Sequence, residues 1–167
     1  MKAAYMRQVH PFDPIYNTES KILILGSFPS VKSREANFYY AHAQNRFWRL
    51  LSYIYDEDEP KSARDKKNLL FNHNIAIWDI IKSCDISGSS DVSIKNIVIN
   101  DIFEIIEKSK IDTICFNGIA AYKIYNKYCL NKTNIKTITL PSTSPANAQY
   151  SLDRLALEWE NAIKQMV

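Results

Sequence analysis

The amino-acid sequence predicts an α/β fold built on a parallel sheet, and two observations carry that prediction. Short, almost wholly apolar runs ended by turn residues alternate with longer segments whose apolar positions recur at helical period. At 167 residues, 46% of them hydrophobic, the chain also has the size of one compact domain, spanning residues 1–167, with a core of its own. The first strand is 21–25, closed by Gly26, and the second is 75–78, closed by Asp79. Both are nearly all apolar, as expected of strands covered on two faces. The third is 113–116, stopped by Asn117-Gly118, and the fourth is 135–140, stopped by Pro141. Periodicity places helices at 46–55, 63–73, 97–109, 119–128 and 152–167, which joins the strands through right-handed βαβ crossovers. The acidic, proline-ended stretch 56–60 reads as a solvated loop.

Composition excludes several classes of function. Three widely spaced cysteines, Cys84, Cys115 and Cys129, form no CxxC pair, so neither a disulfide framework nor a zinc site is indicated. No metal and no cofactor are expected. No apolar run approaches a membrane span, and the start of the chain lacks the layout of a secretion signal, so a cytoplasmic, nucleoid-associated protein without membrane contact is expected. The formal charge of +3 is mild; it fits transient contact with a phosphate backbone without requiring it.

In open parallel sheets, ligands bind beyond the carboxyl ends of the strands, so the strand-exit loops are where function is sought. The first exit begins Gly26-Ser27-Phe28-Pro29-Ser30 and runs 20 residues to Asn45 with no clear element, longer than an ordinary connection. Tyr39, Tyr40 and His42 supply flat rings on which a base can stack, worth about 1–3 kcal/mol per base, although such rings equally cap cores. Asn45 precedes an amphipathic start and suits a helix cap. The fourth exit, Ser142-Thr143-Ser144-Pro145-Ala146-Asn147-Ala148-Gln149, sets hydroxyls between prolines, a stiff backbone suited to phosphate oxygens or a plain turn. Lys32, Arg34 and Arg46 lie beside this site within reach of phosphates, whereas Lys66 and Lys67 read as a solvated helix face. Trp48 and Trp78 read as core.

In chain order, GSFPS, FYYAHAQNRFW, IAIWDIIKSCDISGSSDVSIKN, FNG and LPSTSPAN resemble the hypoxanthine-DNA glycosylase branch, family 6, of the uracil-DNA glycosylase superfamily. The match runs from about His10-Pro11-Phe12 to the last helix. The resemblance implies a three-layer α-β-α sandwich with a central four-stranded parallel sheet. It also implies a monofunctional glycosylase that flips a deaminated nucleotide, preferably deoxyinosine, out of double-stranded DNA and hydrolyses its N-glycosidic bond, leaving an abasic site. A monomer is expected.

Two departures from the superfamily pattern shape the site. The place of the usual water-activating Asp or Asn holds Phe28, and the branch implies that Asn45 orients the water instead. The place of a histidine in the fourth exit holds Ser142, so charge on the leaving base falls to backbone N–H groups near Ser27 and Phe28, with Ser142 and Asn117 as further candidates. By the same resemblance Tyr40 stacks on the base, and Ser27, Phe28 and Asn117 line its pocket. His42 either bonds the base or braces the loop. Ser30 and Ser142, Thr143, Ser144 and Pro145 face DNA, and Ala146, Asn147 and Gln149 fall where relatives insert a wedge. The competing readings are a mismatch-type glycosylase acting on uracil or ethenocytosine, a DNA-binding relative without activity, and, last, a serine hydrolase using Ser27 or Ser30, which lacks the G-x-S-x-G elbow.

Overall fold

The computed structural model describes residues 4–129 and 133–164. Four strands, β2 (Ile22–Gly26), β3 (Ile75–Asp79), β6 (Thr113–Asn117) and β7 (Lys136–Leu140), form a sheet of order β3-β2-β6-β7 in which every pairing is parallel. These match the four predicted runs to within a residue at each end. The two faces of β2 are both covered: Ile22 and Ile24 join one core cluster, and Leu23 and Leu25 join the other. On the first face lie α2 (Phe47–Tyr55), α3 (Ala63–Asn72) and α6 (Leu152–Ile163), which contribute Phe47, Leu70 and Trp159. On the second lie α4 (Ile102–Glu107) and α5 (Ile119–Cys129), with Ile105 and Tyr125. The three-layer expectation holds. Helix α6 agrees with the predicted 152–167 through Ile163, and the last three predicted positions lie outside the described residues.

Three elements correct the sequence reading. The stretch 97–109 is not one helix: β5 (Lys95–Ile99) ends within it, and only the short α4 follows. β5 pairs antiparallel with β4 (Ile81–Ile86), which pairs antiparallel with β1 (Met6–Val9), a second sheet that was not foreseen. The first exit loop is not structureless, since α1 (Val31–Ala36) lies in it, capped by Ser30 Oγ accepting from Ser33 N–H. The second sheet matters for the site. It carries the chain from β1 to His10, whose backbone N–H donates to Lys82 at 2.8 Å, while Ile15 bridges Ile77 and covers the edge of β3.

Candidate active site

Beyond the carboxyl ends of β2, β3, β6 and β7 opens a cavity of about 450 Å³, lined among others by residues 26–30, Tyr40, His42, Asn45, Asp79, Asn117 and residues 142–146. Its size suits one flipped base. A cavity of about 580 Å³ also lies against Asp56, Glu57, Asp58 and Glu59, where four carboxylates repel a polyanion. The strand-exit cavity is therefore the candidate site.

The hydrogen-bond directions around Asn45 follow from their donors. Asn117 Oδ1 accepts from the Thr143 N–H at 3.0 Å, which fixes that amide, and Asn117 Nδ2 donates to Thr143 Oγ1 at 3.0 Å. The Thr143 hydroxyl then donates to Asn45 Oδ1 at 2.9 Å. Asn45 Oδ1 also accepts the Phe47 N–H at 2.9 Å. Both lone pairs of that oxygen are spent, so Asn45 offers the cavity its Nδ2 donor and no acceptor. Helix α2 begins at Phe47 rather than Arg46, and Asn45 does serve its first N–H, so capping and site geometry use the same oxygen.

Tyr40 is held in the left-handed region at φ 52° and stacks on Phe47 at 4.1 Å. Such a backbone costs about 1–3 kcal/mol in a non-glycine residue, and the stack offsets part of it. Burial, and then the neighbouring Asp79, push its phenol above the usual range, so it stays protonated. His42 Nδ1 accepts the Gln44 N–H at 3.1 Å, so a neutral ring carries its proton on Nε2. Ser27 Oγ donates to Asp91 Oδ1 at 2.6 Å. Burial pushes the Asp91 carboxyl up, against the bond from Ser27.

Several expected contacts have other employment. Thr143 is 0% exposed and spends its side chain on Asn45 and Asn117, so it braces the site rather than meeting phosphates. Arg46 donates to the backbone carbonyls of Thr143, Ser144, Asn147 and Tyr150 and sews the fourth exit loop to α2. Arg34 holds Pro29 and Gly88 carbonyls, and Lys32 pairs with Glu35 at 3.5 Å. Tyr39 is core, with its hydroxyl donating to Asp13 O. Lys66 is not simply solvated: it lies over Phe38 and Trp48, and desolvation lowers its pKa. Trp48 is buried and Trp78 half-buried. Asn147 turns its amide to Ser142 O and lines a neighbouring cleft, and Gln149 is exposed outside the cavity, so neither sits in the pocket itself. Among the described residues, no group of three or more His, Cys, Asp or Glu is arranged to hold a metal, and no helix is long and apolar enough to cross a membrane.

Residues of the site not singled out from sequence include Asp91, Asp79 and His10. Asp79 closes β3 and lines the cavity, and His10 meets it from the second sheet at 2.7 Å. An acid ending an otherwise apolar strand was the available signal for Asp79; nothing local marked His10.

Residues 14–164 match the family model described as the uracil DNA glycosylase superfamily. The chain belongs to that superfamily. It is 36% identical over 151 residues to a hypoxanthine DNA glycosylase of Methanosarcina acetivorans, covering 89% of this chain and 94% of the relative. To the hypoxanthine DNA glycosylase of Methanosarcina barkeri it is 33% identical over 159 residues, covering 92% and 97%. A solution NMR structure of a candidate uracil DNA glycosylase from Methanosarcina acetivorans superposes with a TM-score of 0.82 at 32% identity, covering 96% of this chain and 99% of that one. The protein is thus a DNA glycosylase, and DNA is its substrate.

Proposed function

We propose that this glycosylase excises hypoxanthine from deoxyinosine in duplex DNA, as a single-domain monomer in the cytoplasm that needs no metal. Carrying the reading is the likeness to two hypoxanthine DNA glycosylases over about nine-tenths of the chain. The strand-exit cavity fits it, being large enough for a purine. Flipping costs least at a weakened pair, so the lesion itself supplies part of the selectivity.

In this mechanism the C1′–N9 bond lengthens first, and the deoxyribose gains oxocarbenium character before water arrives. An amide is too weak a base to take a proton from that water. Asn45 acts by position: its Nδ2 N–H holds one lone pair of the water and leaves the other facing C1′. Thr143 and Asn117 keep the amide from flipping. Backbone N–H groups of Ser27 and Phe28 meet the charge on the base, which departs as an anion and takes up the proton that the attacking water gives up.

Duplexes carrying a single hypoxanthine, uracil or xanthine, incubated with the protein and then treated with alkali, test the proposal. Strand cleavage at hypoxanthine, faster than at the other two, is expected. Cleavage confined to uracil would favour the mismatch-type alternative, and no cleavage on any duplex would sink the activity.

A further inference from the structure

The turn that joins β4 to β5 brings a second loop to the mouth of the cavity. Residues 87–93 read Ser-Gly-Ser-Ser-Asp-Val-Ser, and Ser89, Ser90 and Asp91 line the wall. In this run of small polar residues a single apolar side chain stands out. Val92 is 95% exposed, the most exposed of the large apolar side chains among the described residues. Isolated apolar residues are ordinary on a protein surface, so exposure alone assigns it no role. What distinguishes Val92 is how it is held and what it stands beside.

The loop is stapled to the first strand exit and to α1. Arg34 Nη2 donates to Gly88 O at 3.0 Å, Val31 N–H to Ser89 Oγ at 2.8 Å, and Ser27 Oγ to Asp91 Oδ1 at 2.6 Å. Within it, Ser93 Oγ accepts the Ser87 N–H at 3.0 Å and donates to Ser90 O at 2.7 Å, closing a single 3-10 turn at Asp91–Ser93. Val92 is thus presented on fixed backbone, and little further ordering is lost when something covers it. Adjacent Cα atoms lie about 3.8 Å apart and stacked bases repeat about every 3.4 Å, so a side chain one residue past the cavity wall stands about one base step from a nucleotide in the cavity. The gap that a flipped nucleotide leaves in the stack is held open by an apolar side chain. The fourth exit loop, where such a wedge was expected, carries no large apolar side chain between Ser142 and Gln149: Ala146 offers one methyl, and Asn147 spends its amide on Ser142 O.

We propose that Val92 enters the base stack beside the flipped deoxyinosine and holds the duplex open while Asn45 orients the water. This inference rests on the glycosylase reading above. Its occupant is a base step of the lesion-bearing duplex, whose faces are apolar and accept an uncharged side chain. Asp91, next along the chain, spends an oxygen on Ser27, so the tip meets the stack through the valine rather than through a carboxylate. Val92 is then a positioning residue that acts on the DNA and not on the scissile bond.

The test compares single-turnover excision of hypoxanthine paired with cytosine in a duplex and of hypoxanthine in an unpaired bubble of the same sequence, where no stack has to be held open. Val92→Ala lowers the paired rate by about 10-fold, through the apolar contact of two lost methyl groups, and leaves the bubble rate within about twofold. Val92→Leu keeps the paired rate. The side chain is exposed, so neither substitution disturbs the core. An unchanged paired rate in Val92→Ala overturns the inference, as does an equal fall on both substrates. A fall in Val92→Leu as large as that in Val92→Ala overturns it too. If the unaltered protein cuts neither substrate, the proposed activity itself fails, and the two failures are distinct.

Discussion

Thr143 joins two amides on which the proposed mechanism depends, and its hydroxyl is committed in both directions, accepting from Asn117 and donating to Asn45. Thr143→Val removes that hydroxyl without much change of shape and leaves each amide one partner short. The expected cost is about 1–3 kcal/mol of stability, read as a lower Tm, with a slower single-turnover rate and little change in DNA binding. A rate equal to that of the unaltered protein would detach Thr143 from the mechanism. At this scale the sequence was informative about position and less so about employment. Asn45, Asn117 and Thr143 all stand out as strand-exit polar residues, but their donor directions exist only once 98 residues of separation are closed. Arg46, an apparent phosphate ligand, is consumed by four carbonyls that no local pattern reveals. His10 is further still: its partner lies 69 positions away.

Among the elements, the parallel strands were legible because each is a short apolar run with a terminator. The antiparallel sheet was not. β1 is mostly exposed, and β5 alternates weakly and runs toward a helix, so its Ile97 and Ile99 imitate helical period with the apolar residues that follow. What holds β1, β4 and β5 together at their polar end is a small network. Asn96 Nδ2 donates to Asp85 Oδ2 at 2.6 Å, and Arg7 pairs with Oδ1 at 3.3 Å. The bond from Asn96, then the one from Arg7 and its charge, hold the Asp85 carboxyl below its ordinary value. A carboxyl lowered in the folded state contributes its stability in full above the ordinary value of 3.8 and loses it as pH falls through the lowered one. Asp85→Asn should therefore be less stable than the unaltered protein at neutral pH, and their denaturation midpoints should converge in acid. A constant difference across pH would remove the carboxylate from the account.

For the whole molecule, the acidic face at 56–59 and the strand-exit cavity lie on different elements, so a modest formal charge of +3 still leaves the site open to a polyanion. Because Arg34 and Arg46 are occupied by backbone carbonyls, few direct phosphate contacts and a shallow loss of DNA affinity with salt are expected. Titration with a fluorescent duplex between low and moderate salt checks this; a steep slope would mean that those arginines let go of the protein on binding. Under the proposed function the chemistry sits in one cavity and one amide orients the water. That claim is tested most directly by single-turnover excision of hypoxanthine from a duplex by Asn45→Ala, with binding measured beside it. Excision should fall by about 100-fold or more while lesion-DNA affinity stays within a few-fold. A near-normal rate in that variant would contradict the account.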